Sequence, residues 1–196
     1  MDIVFDWHSV VTKPEPGSHI VQFYKEESFL TLAVVKYFVQ AFSDGCTVVS
    51  VATKAHQELF EKGMKKAGVD LKIQVESHRY IALDAEETLA QIMLDGTPDK
   101  TRFNEMVSPY LQERSKANKP VLRIYGEMVD LLWRKGNHSQ ALLLEQFWAD
   151  LGKERAFCLF FAYQIKTSAD LKKGMGLDRV CSAHTHVITL EDYSAI

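Results

Sequence analysis

Two stretches of the sequence decide the fold, Cys46-Thr-Val-Val-Ser-Val-Ala52 and Ala156-Phe-Cys-Leu-Phe-Phe-Ala-Tyr163. In both runs successive residues are apolar, so both faces of the strand that each one forms have to be covered. Strands of this kind are typical of a parallel sheet between two layers of helices. We therefore predict an α/β fold with three layers and a mainly parallel central sheet.

Strands and helices alternate along the rest of the chain. Gly68 follows one helical pattern as a C-cap signal, and Asp84, three residues before Glu87, is an N-cap signal for another. Pro98 is expected at the first position of a further helix, and Pro109 is expected to kink or split that helix. The predicted strands are 19–24, 46–52, 73–75, 80–83, 121–125, 156–163 and 187–190, the last at a sheet edge, and the predicted helices are 28–42, 55–67, 85–94, the segment from Pro98, 127–135 and 139–151.

The composition is that of a protein with one hydrophobic core. The 196 residues include 23 basic and 26 acidic side chains, for a net charge of −3, and 46% of them are hydrophobic. A chain of this length buries roughly 70% of the surface that its unfolded form exposes. We expect one domain over residues 19–196, preceded by a leader at 1–18. The weak negative charge and the scattered basic residues disfavour nucleic-acid binding.

Nothing in the sequence indicates export or a membrane span. The first residues carry acids at Asp2 and Asp6, where a secretory signal has basic residues. The longest apolar stretch, 29–42, is shorter than the roughly 20 residues that cross a bilayer. The three cysteines are an odd number without CxxC spacing, which is typical of reduced thiols. We expect a cytoplasmic protein.

The first strand is not followed by a phosphate-binding loop. No glycine lies between Gly17 and Gly45, and the chain there carries Glu26 and Glu27, which would repel a triphosphate. The sequence therefore argues against nucleotide hydrolysis.

The segment Arg123-Ile-Tyr-Gly-Glu127 is the most unusual polar patch, because it surrounds a strand-to-helix turn. Alternation along the strand places Arg123 and Tyr125 on one face, and Glu127 then opens the next helix. Ligands bind to parallel sheets at such strand ends. Two interpretations stay open here, a binding site and a structural pair of the arginine with the glutamate.

Two further groups of residues are candidates. Glu145 and Trp148 share a helix face, and with Trp133 they are typical either of a cage for a small, partly apolar ligand or of helix packing. Cys181-Ser-Ala-His184-Thr-His186 is the only Cys/His cluster, and it lacks a second pair of ligands. We therefore expect no metal site and no cofactor, and we expect His184 to line a cleft or an edge strand.

Several spaced motifs resemble the MEDS domain, a sensory domain of methanogen and methylotroph regulators that is itself similar to RecA/KaiC-type ATPases. The resemblance runs from about residue 19 to 163 and extends toward 184. Its motifs are His19 with Gln22-Phe-Tyr24, Val51-Ala-Thr53 with His56, Leu83-Asp-Ala85, Asp95-Gly-x-Pro-Asp99 with Phe103, Arg123-x-Tyr-Gly-Glu-Met128, Leu132-Trp133 with Gly136, and Leu144-Glu145 with Trp148.

The resemblance implies a RecA-like sensory domain for a small ligand such as a hydrocarbon derivative. It also implies no known catalysis and, as partner in trans, a histidine kinase or a transcription regulator. Formation of a homo-oligomer is left open. The alternatives are an interaction scaffold with a vestigial cleft and, less favoured, an enzyme that uses the remodelled cleft. The residues expected to bind the ligand are Phe23, Tyr24, Arg123, Tyr125, Glu127, Trp133, Glu145, Trp148 and His184.

Overall fold

A computed structural model describes residues 6–112, 122–154, 157–165 and 177–189 of the chain. Helices and strands alternate through it, as the sequence pattern predicts. The helices are α1 (Trp7–Thr12), α2 (Glu27–Ser43), α3 (Lys54–Lys66), α4 (Leu71–Glu76), α5 (Ala85–Ile92), α6 (Lys100–Gln112), α7 (Met128–Arg134), α8 (His138–Glu154) and α9 (Leu177–Ala183). The strands are β1 (His19–Tyr24), β2 (Val48–Ala52), β3 (Tyr80–Asp84), β4 (Met93–Leu94), β5 (Thr97–Pro98), β6 (Leu122–Gly126), β7 (Phe157–Gln164) and β8 (His186–Ile188).

Six strands form the central sheet in the order β3-β2-β6-β7-β1-β8, and every neighbouring pair is parallel. The predicted three-layer α/β fold is confirmed. Because all strands run the same way, the carboxyl ends of β1, β2, β3, β6 and β7 lie at one edge of the sheet. The final strand, β8, is at the sheet border that the sequence predicts for it.

The two faces of the sheet carry separate parts of the core. Along β7, Phe157, Leu159, Phe161 and Tyr163 pack on the side of α5 to α8, whereas Cys158, Phe160 and Ala162 pack on the side of α1 to α3. This alternation explains why the strand is apolar at every position. Helix α1 belongs to the second layer, where its Trp7 and Val11 are buried.

The segment Ile73–Val75, which was predicted to be extended, is instead part of helix α4. The Asp70 side chain accepts a hydrogen bond from the Ile73 N–H at 3.2 Å and so caps this helix. Ile73 and Val75 are 54% and 53% exposed. The prediction of a strand was wrong because it rested on the β-branched residues Ile73 and Val75, which lie on the exposed surface of this helix.

Pro98 does not open a helix. It lies in a two-stranded antiparallel hairpin, β4–β5, opposite Met93. Asp95 and Gly96 form the turn with φ angles of 48° and 77°, and positive φ at both central residues is typical of a type I′ hairpin turn. Helix α6 starts after Asp99, whose carboxylate accepts from the Arg102 N–H at 2.9 Å. The helix continues through Pro109 and is not split there.

The described cysteines are all free thiols, and Cys46 and Cys158 are buried as their apolar surroundings predict. Among the helices of the described residues, none combines the length and the apolar character that a bilayer span requires.

Candidate functional site

Glu127 lies where the chain leaves β6 at the carboxyl edge of the sheet and enters α7. Its carboxylate is buried and has three neighbours that share hydrogen bonds with it. The backbone N–H of Thr53 donates to Oε2 at 2.8 Å, and the Tyr125 hydroxyl donates to Oε1 at 2.8 Å. His56 Nδ1 lies 2.5 Å from the same Oε1. The residue thus joins the ends of β2 and β6 to helix α3.

His56 connects this buried carboxylate to the surface. Its Nε2 lies 2.5 Å from Oε2 of Glu27, whose side chain is 48% exposed at the start of α2. Burial alone would lower the pKa of the imidazole, but the hydrogen bonds and charges of Glu127 and Glu27 outweigh burial and raise that pKa above its ordinary value. The ring also stacks on Phe60. The His56 ring is thus held between two carboxyl groups that favour its charged form.

A second buried acidic residue, Asp130, lies in the first turn of α7, three residues after Glu127. Its carboxylate accepts a hydrogen bond from the backbone N–H of Gln164 at 3.0 Å and contacts Nε of Arg134 at 2.9 Å. Burial raises the pKa of Asp130 to about 7, although Arg134 and the N–H of Gln164 oppose this shift. The Gln164 side chain donates to Glu27 at 3.4 Å, so both parts of the edge are connected.

The edge therefore combines three carboxyl groups, Glu27, Glu127 and Asp130, with His56 and Arg134 beside them. Carboxyl oxygens accept hydrogen bonds and, when ionised, attract cations, so this edge favours ligands with a positive charge or hydrogen-bond donors and disfavours phosphates. We call these five residues the carboxyl-edge network.

Three of the nine predicted ligand residues meet at this edge. Tyr125 and Glu127 are hydrogen-bonded to each other, and Tyr24 ends β1 close to Glu27, Glu127 and Asp130. Burial raises the pKa of both phenols far above the usual value, so both hydroxyl groups are neutral and can donate hydrogen bonds.

Arg123 lies elsewhere, because it is near the start of β6 and Glu127 follows the end of that strand. It shares a face with Tyr125 as alternation predicts, yet its partners belong to other elements. The guanidinium contacts the Asp44 carboxylate at 2.7 Å and donates to the carbonyls of Thr12 and Tyr37 at 3.3 Å. Arg123 therefore forms a structural ion pair, but its partner is Asp44 and not Glu127, the partner that the sequence suggested.

Phe23, Trp133 and Trp148 are buried in the core on the side of α5 to α8. Phe23 and Trp133 both pack on Tyr163, with ring centroids 5.9 and 5.6 Å apart. Trp148 packs edge-on against Phe103 at 4.9 Å. Each of these rings therefore packs against another aromatic ring of the core.

Glu145 and His184 come together at a second place, where they meet His19. Oε2 of Glu145 lies 3.7 Å from Nε2 of His19 and 3.6 Å from Nε2 of His184. The two imidazole centroids are 3.8 Å apart. We call these three residues the interior triad.

Sequence reasoning missed four members of the carboxyl-edge network, Glu27, His56, Asp130 and Arg134, and it missed His19 as a member of the interior triad. Glu27 is separated by 29 residues from His56, and His56 by 71 residues from Glu127. Spacing along the chain carries no signal for such contacts. The available hint for His56 and His19 is that both belong to the family motifs.

Comparisons with known proteins agree with the fold. Among solved structures, the uncharacterized protein PH0321 from Pyrococcus horikoshii, crystallised in complex with an unknown peptide, is similar over 94% of this chain and 84% of that one, with a TM-score of 0.63 and 12% identity. No curated protein matches the sequence significantly. Residues 18–185 match the family described as MEthanogen/methylotroph, DcmR Sensory domain, or MEDS. Since this match spans most of the chain, the chain belongs to the MEDS family of sensory domains.

Proposed function

We propose that this MEDS domain binds a small organic ligand at the carboxyl-edge network and thereby regulates a partner signalling or transcription protein in the cytoplasm, without hydrolysing ATP. The observation that carries the proposal is the chain of contacts from the half-exposed Glu27 through His56 to the buried Glu127. A group at the surface is thereby connected to the interior of the fold at the sheet edge where α/β proteins bind ligands.

The same contacts supply a route for the signal. Glu27 starts α2, His56 lies on α3 and Glu127 precedes α7, so the network joins three helices. A ligand that takes over one of these contacts changes how α2 is held against α3 and α7. The domain then shifts toward the conformation that the ligand prefers, and the partner protein senses this shift.

The ligand class follows from the charges. With three carboxyl groups around one imidazole and one guanidinium, the network suits a small ligand that carries a cation or hydrogen-bond donors. Phosphates are disfavoured by the same carboxyl groups, and the chain has no glycine-rich loop between Gly17 and Gly45. Both features support a sensor that does not use ATP.

A thermal-shift screen of the whole chain tests this proposal. The panel contains small organic amines, alcohols, halocarbons, ATP and ADP, and a compound at 100 times its dissociation constant adds about 2.7 kcal/mol to the unfolding free energy. We expect a hit among the amines or alcohols that Glu127→Gln weakens and that the exposed Glu58→Gln on the same helix as His56 leaves intact. A shift with ATP alone, or a hit that Glu127→Gln does not change, would overturn the proposal.

A second candidate, an interaction scaffold, is favoured by a different observation. Phe23, Trp133 and Trp148, which were predicted to hold the apolar body of a ligand, pack against other core residues. In addition, PH0321 was crystallised with an unknown peptide. Fluorescence polarisation with a library of labelled synthetic peptides separates the two candidates. Peptide binding that survives Glu127→Gln, combined with silence across the small-molecule panel, would support the scaffold.

A further inference from the structure

Three buried polar atoms in the interior triad point at one another without any hydrogen-bond partner. They are Nε2 of His19, Nε2 of His184 and Oε2 of Glu145. The side chains of these residues are 9%, 0% and 3% exposed, respectively. Buried polar atoms are nearly always paired, so three orphans at one place require an explanation.

Hydrogen bonds fix the orientation of His184 and Glu145 through their other polar atoms. Nδ1 of His184 lies 2.6 Å from the Val180 carbonyl. A ring nitrogen that donates to a carbonyl leaves the lone pair of the other nitrogen free. The second oxygen of Glu145 accepts from the Tyr163 hydroxyl at 2.5 Å.

The three unpaired atoms face one another in the interior. Oε2 of Glu145 lies 3.7 Å from Nε2 of His19 and 3.6 Å from Nε2 of His184. Polar atoms that are buried without a partner are costly, so a bound group that pairs with all three would stabilise this arrangement.

We propose that His19, Glu145 and His184 bind one divalent transition-metal ion. Two imidazole nitrogens and one carboxylate oxygen are a donor set that such ions accept in proteins. The three donor atoms lie within 4.8 Å of one another. Ligands at roughly 2.1 Å from a tetrahedral ion are about 3.4 Å apart. The contacts of Glu145 with the two histidines, 3.6 and 3.7 Å, are close to this spacing, and the two imidazole nitrogens lie within 4.8 Å of each other.

The surrounding structure meets two further requirements of a metal site. Ligating histidines usually donate their second N–H to a carbonyl, and ligating carboxylates are themselves hydrogen-bonded, as His184 and Glu145 are here. A surface cleft of about 210 Å³ has His19 in its lining, together with Ser18, Gly152, Ala183 and Thr185. Three protein ligands leave a coordination position for water.

The other two members of this site are not the residues that stand beside His184 in the sequence, Cys181 and His186. The sequence predicted no metal site because Cys181 and His186 supply no second pair of ligands. In the structure the partners of His184 come from β1 and α8, at sequence distances that no local motif records.

Metal binding to the whole chain tests the proposal. The purified protein is stripped with EDTA, desalted and titrated with Co²⁺, with visible absorption as readout, and Zn²⁺ is then measured by equilibrium dialysis. We expect ligand-field bands, and one Zn²⁺ per chain. Loss of an outer-shell partner typically weakens metal binding by 10 to 100-fold, so loss of a ligand in Glu145→Gln should cost at least about 100-fold.

His186→Gln is the matched control, because this histidine lies two residues from His184 and outside the triad. We expect it to bind the metal like the wild type. Glu145→Gln keeps an oxygen that can accept from Tyr163, and circular dichroism checks that it folds. If the wild type takes up no Co²⁺ or Zn²⁺, or if Glu145→Gln binds as well as the wild type, no metal site exists in the triad. Binding that is lost in His186→Gln and kept in Glu145→Gln would equally refute it.

Discussion

His56 is the residue on which the carboxyl-edge network depends, because each of its nitrogens faces a different carboxylate. Burial opposes the charge of the ring, and the contacts with Glu127 and Glu27 outweigh it, so the pKa of His56 is raised. A group with a higher pKa in the folded state stabilises the fold below its unfolded pKa, about 6.5 for histidine. This contribution is lost as the pH rises through the folded pKa. His56 therefore adds stability in mild acid and not in base.

The variant Glu127→Gln tests this balance directly. Burial lowers the pKa of His56, and without the charge of Glu127 only Glu27 still counteracts this effect. We therefore expect the pKa of His56 to fall below its wild-type value. The measurement is an NMR titration of the His56 ring protons. Glu58→Gln, an exposed change on the same helix, should leave the titration where it was. An unchanged His56 pKa in Glu127→Gln would contradict the contact between the two residues.

Arg123 illustrates the opposite role, since its partners hold elements together at the far end of β6. It is 4% exposed and contacts Asp44 at the end of α2 and the Thr12 carbonyl at the end of α1. Its guanidinium also lies over the ring of Tyr37, 5.3 Å from the centroid. These contacts indicate that the side chain stabilises the layer formed by α1 and α2.

Arg123→Met should therefore lower stability without weakening ligands at the carboxyl edge. The change keeps the apolar stem, removes the ion pair with Asp44 and takes a donor from the buried Thr12 carbonyl, and an unsatisfied buried group costs about 1–3 kcal/mol. Urea denaturation measures the loss, and we expect about 2–4 kcal/mol in total. Arg179→Met removes an exposed arginine and should change stability by less than about 0.5 kcal/mol. An Arg123→Met protein as stable as the wild type would show that these contacts contribute nothing.

At this scale the sequence predicts some site residues and not others. Glu127 and Tyr125 follow from a polar patch at a strand end, because both lie within three positions of the same turn. Their partner His56 is 71 residues away from Glu127 and meets it only after α3 packs beside β6. Trp133 and Trp148 fit a ligand cage and a packed core equally well by spacing, and only the burial of their neighbours distinguishes the two.

At the scale of elements, the contact between α2 and α3 depends on Gly63. A Cβ atom added at this glycine would lie 2.5 Å from Cγ2 of Val35 on α2. Valine in a helix has one strongly preferred rotamer, so it cannot turn aside. The close approach of the two helices also places Glu27 of α2 beside His56 of α3.

Gly63→Ala is therefore expected to destabilise the protein even though alanine is the better helix former. Overpacking typically costs about 1–3 kcal/mol. Gly152→Ala is the matched change on α8, where an added Cβ meets nothing within 4 Å, and it should gain about 0.5–1 kcal/mol. Thermal and urea denaturation of both variants decide the matter. Equal gains in the two variants would mean that α2 and α3 do not pack closely at Gly63.

Elements with strong periodicity were predictable, and those governed by turn chemistry were not. Helix α5 is capped by Asp84, whose carboxylate accepts from the Glu87 N–H at 2.8 Å as the sequence pattern predicts. The hairpin β4–β5 was missed, although Asp95-Gly96 is a typical type I′ turn, because the proline after it resembled a helix start. Strands of two residues are too short to show periodicity.

At the scale of the whole molecule, the sheet brings distant parts of the chain together. β1 lies between β7 and β8, so strands from the beginning and the end of the described chain are neighbours. The apolar runs predicted the layers but not this strand order, which local patterns do not encode. The interior triad is a consequence of the order, since His19 comes from β1, Glu145 from α8 and His184 from the segment before β8.

A metal ion in the triad would connect these three parts, so it should stabilise the entire fold. An ion that binds only the native state, at 100 times its dissociation constant, adds about 2.7 kcal/mol. For a domain of this size each kcal/mol raises the melting temperature by roughly 2–4 °C. We therefore expect the wild type to melt about 5–10 °C higher in Zn²⁺ than in EDTA by differential scanning calorimetry. Mg²⁺ should give no shift because it prefers oxygen ligands.

The variant Glu145→Gln decides whether such a shift comes from the triad. It removes the one charge that the metal requires and keeps the acceptor for Tyr163. We expect the same melting temperature for this variant in Zn²⁺ and in EDTA, whereas His186→Gln should shift like the wild type. A Zn²⁺ shift of wild-type size in Glu145→Gln would place the stabilising ion elsewhere in the protein. Because no residue of the carboxyl-edge network is changed, this result does not depend on the sensor proposal.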